Sequence, residues 1–294
     1  MVLSIFIFIL NFFSCNNSPQ SGLPALNYDL SAPDQVLMLP DTLREISGIT
    51  RLSRSEIACV QDENGIVFIY DVKRNAIAKQ FSFNGDGDYE GIARAGKMLY
   101  VLRSDGMLFE VSNYASGKSA VQSYETGIPI DDNEGLCYDK ANDRLLIGCK
   151  AKPGKSAELK NKRMIYAFDL KTKKLSENPV FEFDITKIRQ FAEDNLIALP
   201  LKAKKEGKAP KPHIKFSISA IAIHPVTGKL FVISSTDPIL FVFDMQGNVE
   251  HITLLDKKLF NKAEGMTFFK NGDMLISNEG QSNQATLLRF NYKK

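Results

Sequence analysis

The chain has 294 residues, 44% of them apolar and 24% charged, with 19 Gly and 12 Pro. This ordinary globular composition excludes a disordered chain, a collagen and a polytopic membrane protein. A net charge of +3 is too small to argue for nucleic acid as a partner, and 3 His with no Trp leave little material for a histidine-based site.

Residues 1–15, MVLSIFIFILNFFSC, come first. Their apolar run is shorter than the roughly 20 residues a membrane-spanning helix needs, and it has the length of a signal-peptide core. Ser14-Cys15, followed by a polar stretch from Asn16 to Gln20, resembles a bacterial lipobox, which implies cleavage before Cys15 and lipidation of its thiol. An uncleaved signal anchor is the alternative. The expectation is a leader over 1–15, a polar tether over 16–34 and one domain over 35–294. That domain would lie outside the cytoplasm, in the bacterial cell envelope or periplasm, held to a membrane by acyl chains. Cys59, Cys137 and Cys149 remain, and an odd count points to buried free thiols rather than a disulfide framework, with Cys137 facing Cys149 across a hairpin as the alternative.

One short pattern then recurs. It reads Glu45-Ile-Ser-Gly-Ile-Thr50, Asp88-Tyr-Glu-Gly-Ile-Ala93, Asp132-Asn-Glu-Gly-Leu-Cys137, Ser217-Ile-Ser-Ala-Ile-Ala222 and Lys262-Ala-Glu-Gly-Met-Thr267. The third positions, Ser47, Glu90, Glu134, Ser219 and Glu264, are separated by 43, 44, 85 and 45 residues. A period near 44 suits four-stranded propeller blades. Each copy opens a short apolar strand. A polar turn and two further β-branched or aromatic strands follow, such as Leu230–Ile233 and Ile239–Phe243. The first four copies carry a weaker fourth strand, for example Ala78–Phe81. The last copy runs out of chain after its third. The apolar segment Gln35–Leu39 has no copy of its own, so it is expected to supply the missing outer strand and close the ring. The 85-residue interval could hold two blades, making six. Residues 185–213 match no second or third strand, however, and Ile185–Leu196 has helical spacing. The expectation is therefore an all-β five-bladed propeller with insertions at 150–163 and 185–215.

The five pattern copies, together with Val60-Gln-Asp-Glu-Asn-Gly65 after the first second-strand, resemble the SdiA-regulated domain family. The resemblance covers about residues 35–292. It implies an exported, often lipid-anchored bacterial β-propeller. It brings no secure activity, and the likeness of its architecture to calcium-dependent propeller phytases, phosphotriesterases and lactonases is one of fold.

In a blade, the start of the first strand and the end of the second share one face of the ring. Two residue sets therefore meet at one mouth: the pattern residues, and those following strand two. Carboxylate, hydroxyl and amide oxygens gathered there are hard ligands suited to calcium. The candidate metal ligands are Glu90, Glu134, Glu264, Asp62 and Glu279; the candidate ligand-binding residues are Ser47, Arg103, Lys150, Ser219 and Asn278. The recurring Glu could equally accept hydrogen bonds from backbone N–H groups of the next blade and so dock the blades. The apparent P-loop Gly91–Lys97 has Met98 where Ser or Thr is needed, and Asn84–Asp88 lacks the glycine and glutamate of an EF-hand. The expected function is binding of a ligand or partner at the mouth, without chemistry. The alternative is a calcium-dependent hydrolase of phosphate esters or lactones. Residues 150–163 and 201–215 each carry a net charge of +5, so the remainder of the chain is −7. The basic segments are solvated loops or contacts for acidic lipid or an anionic polymer.

Overall fold

The computed structural model describes residues 26–294 except 157 and 203–210. The leader, Cys15 and residues 16–25 of the expected tether lie outside the described residues.

Five antiparallel sheets, four of them four-stranded and one five-stranded, follow one another around an axis. Blade 1 is built from Ile46–Arg51, Glu56–Gln61, Ile66–Asp71 and Ala76–Ser82. Blade 2 comprises Tyr89–Ala95, Met98–Arg103, Met107–Ser112 and Ala120–Glu125. Blade 3 has Asn133–Asp139, Arg144–Cys149 and Lys162–Asp169, and its outer position is divided between Lys174–Leu175 and Phe181–Asp184. Blade 4 runs Ile218–Ile223, Leu230–Ser234, Ile239–Phe243, Val249–Leu254. Blade 5 takes Ala263–Phe268, Met274–Asn278 and Thr286–Phe290 from the C-terminal end. Its outer strand is the N-terminal Gln35–Met38, antiparallel to the third strand with Val36 opposite Leu288. The ring is thus closed by a strand from the far end of the chain, as the strand count predicts.

The 85-residue interval holds one blade. The space for a sixth is taken by α1 (Ile185–Asp194), whose N-terminus is capped by the Asp184 carboxylate accepting from the Thr186 N–H at 2.8 Å. Ile185, Ile188 and Ala192 bury the inner stripe of α1 against the core between blades 3 and 4. The supposed P-loop is the hairpin between the first two strands of blade 2.

No single central core exists. Apolar side chains form a layer between each pair of neighbouring blades. In the second strand of blade 1, Ile57 and Cys59 face blade 5 while Ala58 and Val60 face blade 2. Both faces of each sheet are buried, which is why the inner strands read as continuous apolar runs rather than alternating ones. Cys59, Cys137 and Cys149 are free and buried. Cys137 stands opposite Leu146 and Cys149 opposite Asn133, so the two do not face each other.

The described end of the expected tether docks on the ring. Tyr28 and Leu30 are buried in the layer between blades 4 and 5. The Tyr28 hydroxyl donates to the Gly272 carbonyl and meets Nε2 of the fully buried His224 at 2.7 Å. Nδ1 of His224 accepts from the N–H groups of Val226 and Thr227, which places the ring proton on Nε2, toward Tyr28.

Candidate functional site: the acidic mouth

Each inner strand is irregular at the recurring position. In blade 2, Tyr89 pairs with Arg103 and Gly91 with the adjacent Leu102, leaving Glu90 without an opposite residue. Glu134, Ser219 and Glu264 are skipped in the same way, and the shift in blade 1 spans Ser47 and Gly48. An extra residue in one strand re-aims its side chain out of the alternation. Here the side chains of Glu90, Glu134, Ser219 and Glu264 line one small cavity on the ring axis, of about 10 Å³. Blade 1 contributes Gly48 and Ile49 to the lining, and the buried Ser47 is not part of it. A volume of that order holds about one water-sized group.

The pattern glycine does the docking. A Cβ on Gly48 would lie 2.6 Å from the Ile92 nitrogen in blade 2, and one on Gly91 would lie 2.6 Å from the Leu136 Cβ in blade 3. Gly265 is pressed against the Ser47 carbonyl in blade 1. Serines complete the contact: the Ser219 hydroxyl donates to the Ala263 carbonyl at 2.8 Å, and the Ser277 hydroxyl donates to the Ser47 carbonyl at 3.0 Å. Backbone bonds such as Tyr89 N–H to the Asp62 carbonyl (2.9 Å) and Asn133 N–H to the Ser104 carbonyl (2.9 Å) join the blades at this face. Among the described residues no backbone N–H donates to the carboxylates of Glu90, Glu134 or Glu264. The glutamates are therefore not the docking device.

Their partners are two ammonium groups. Lys150 donates to Oε1 of Glu134. Lys262 donates to Oε2 of Glu279 and lies 3.8 Å from Oε1 of Glu264. Oε2 of Glu134, Oε2 of Glu264 and Oδ1 of Asp62 are buried without a hydrogen-bond partner. Burial raises the Glu90 carboxyl to about 8, helped by the charges of Glu264 and Asp88. Burial likewise lifts Asp62 to about 6, with Glu45 and Glu279 adding to it. Glu134 and Glu264 are pushed upward by burial, and Glu134 also by the charges of Glu264 and Glu90. Burial works against a charged Lys150, but Glu134 and Asp132 more than offset it and hold the ammonium charged.

Of the residues chosen from sequence, Glu90, Glu134, Glu264 and Ser219 converge on the axis, with Lys150 bonded to one of them. Asp62 and Glu279 share the field of Lys262 at the edge of the mouth. Asn278 is fully buried and donates to the Leu259 carbonyl and the Thr286 hydroxyl, a structural position. Arg103 turns to Asp105 in a bidentate pair of 2.7–3.1 Å. Sequence reasoning passed over Lys262, Asp88 and Asp132. Their signal was present, two residues before each pattern Glu, at a position otherwise held by Glu45 and Ser217.

Carboxylate oxygens, two of them buried and unpartnered, thus border a space of about one water. Among the described residues, no group of three or more His, Cys, Asp or Glu side chains is placed to hold a metal ion between them.

Among solved structures, the chain is similar to Myxococcus xanthus glutaminyl cyclase, at 12% identity and a TM-score of 0.58, covering 88% of this chain and 95% of that one. It is also similar to a streptogramin B lyase, at 12% identity and a TM-score of 0.48 over 87% of this chain and 97% of that one. At such identity the glutaminyl cyclase match shows the propeller fold alone. No family model and no curated relative matches the chain, so the resemblance to the SdiA-regulated domain family draws no support from those comparisons.

Proposed function

We propose that this β-propeller is a binding protein whose acidic mouth holds a small hard cation, calcium being the fitting choice, and through it a ligand or partner. The reading rests on the two buried, unpartnered carboxylate oxygens of Glu134 and Glu264 beside an axial cavity of about 10 Å³. Lys150 and Lys262 neutralise other oxygens of the cluster and leave these two unsatisfied. A group sized like one water fits there; a phosphate ester or lactone does not, so hydrolysis at these glutamates has less support than binding. Protein stripped with a chelator and titrated with Ca²⁺ should gain thermal stability. Saturation at about 100 times Kd corresponds to about 2.7 kcal/mol, or roughly 5–11 °C for a chain of this size. The gain should vanish in the double variant Glu134→Gln/Glu264→Gln. Absence of any shift with Ca²⁺, Mg²⁺ and Mn²⁺ would overturn the proposal. Anchoring through Cys15 in the bacterial envelope is a second part of the same proposal. It requires that Cys15→Ser move the chain from the membrane to the soluble fraction of its host.

A further inference from the structure

The opposite end of the ring is of another kind. There the inner strands finish and turn into their hairpins, and the space between them widens to about 810 Å³. This is within the range of small-molecule sites. Ile49, Ile92, Leu136, Ile221 and Met266, each two residues beyond a pattern residue, line both the narrow cavity and this one. They form an apolar floor between the two mouths.

The charges at the wide mouth are reversed. Arg51, Arg94, Lys140 and Lys270 line it, against the single carboxylate of Asp139. That carboxylate is already spent on Arg144 (2.8 Å) and Asn142 (2.7 Å). Arg51 and Arg94 come from equivalent positions in neighbouring blades. Arg94 donates Nε to the Gly96 carbonyl at 3.0 Å and Nη1 to the Leu52 carbonyl, leaving Nη2 unused. The Arg51 guanidinium makes no hydrogen bond or ion pair among the described residues, although it is half-buried. Burial, and then the charge of Arg94, hold it below its ordinary value. Two half-buried guanidiniums side by side with no counter-ion are electrostatically costly, and a planar anion accepting from both would relieve that cost.

We propose that this wide mouth binds an amphipathic anion, its phosphate or carboxylate head held by Arg51 and Arg94 and its apolar body lying on the floor formed by Ile92, Leu136, Ile221 and Met266. The site is independent of the cation reading at the other mouth. Its ligand has two sources of the same chemistry, a free amphiphile or an anionic lipid headgroup. The described chain reaches the ring on this face, where Tyr28 packs on the turns carrying His224 and Gly272. Membrane anchoring upstream, as proposed above, would therefore present this face to headgroups.

Dodecyl phosphate below its micelle concentration, followed by calorimetry, tests the first source. Flotation with phosphatidylcholine vesicles, with or without phosphatidylglycerol, tests the second. Arg51→Gln should keep or raise the wild-type melting temperature, since its side chain bonds nothing and its charge repels that of Arg94, and should weaken binding by about 10-fold or more through the lost charge-assisted bonds. Lys118→Gln, an exposed charge outside both cavities, should bind as wild type. Saturable 1:1 binding of dodecyl phosphate that Arg51→Gln weakens supports the proposal with a free ligand. Flotation that needs phosphatidylglycerol and is lost in Arg51→Gln supports it with a lipid. No binding in either arm, or binding that Arg51→Gln leaves unchanged, would overturn it.

Discussion

Replacing Glu90 by Gln gives a direct measure of the electrostatic load at the narrow mouth. The Glu90 carboxyl sits at about 8 in the folded chain against an ordinary value of 4.5. Between those two values the unfolded chain has lost a proton that the folded chain still holds. Wild-type stability is therefore greatest below about pH 4.5 and falls as the pH rises through about 8. The slope is about 1.4 kcal/mol per pH unit, with a ceiling of about 5 kcal/mol across the window. Gln has the same shape and no ionisation, so Glu90→Gln should be the more stable protein, by a margin that widens with pH. For a chain of this size the difference in melting temperature should grow by roughly 3–5 °C per pH unit. The comparison must be a difference between the two proteins, because His224 works in the other direction. Burial lowers its imidazole from 6.5 to about 4, so its contribution to stability is lost as the pH falls through that interval. This loss is common to both chains and cancels. Thermal melts in excess chelator between about pH 5 and about pH 8.5 provide the measurement. A melting difference that stays level with pH would refute the buried, charge-crowded environment assigned to Glu90.

The docking role of the pattern glycine predicts that Gly91→Ala loses about 1–3 kcal/mol or more through overpacking, because its Cβ would stand 2.6 Å from the Leu136 Cβ and 3.0 Å from the Glu134 carbonyl. Gly85→Ala, with nothing within 4 Å of the new Cβ, serves as the control in the same denaturant titration and should be close to neutral. Tyr28→Phe should cost about 1–3 kcal/mol, since it leaves the buried His224 Nε2–H and the Gly272 carbonyl unpartnered. Unchanged urea midpoints in that variant would mean that the segment before the ring contributes nothing to closure.

The ring itself was legible in the residues because its causes are local and repeated. A bulge recurs in every inner strand, followed by a glycine in four copies and by Ala220 in the fourth blade, and strands buried on both faces must be apolar throughout. Counting strands is enough to assign Gln35–Leu39 to the last blade, since an unclosed edge would stand exposed. The division of labour inside the pattern was not legible. Glu and Gly recur together in three of the five copies, so recurrence alone left open which one docks the blades. The distance from Gly48 to Ile92, and the absence of amide donors to the glutamates among the described residues, decide it. The mouths depend still more on closure. Lys150 pairs with Glu134 inside blade 3 and Lys262 with Glu279 inside blade 5, but the glutamates that crowd one another come from blades 2, 3 and 5, and that proximity is a product of the ring rather than of any spacing. Arg51 and Arg94 lie 43 residues apart and each alone reads as a solvated strand end. The net charge of +3 hid this arrangement, because a sum over the chain carries no positions. The sequence by itself determined the blade, its period and its closing strand, through contacts that every copy must make. Only the tertiary structure decided that one end of the axis is acidic and narrow and the other basic and wide, because that depends on which side chains from different blades share a space.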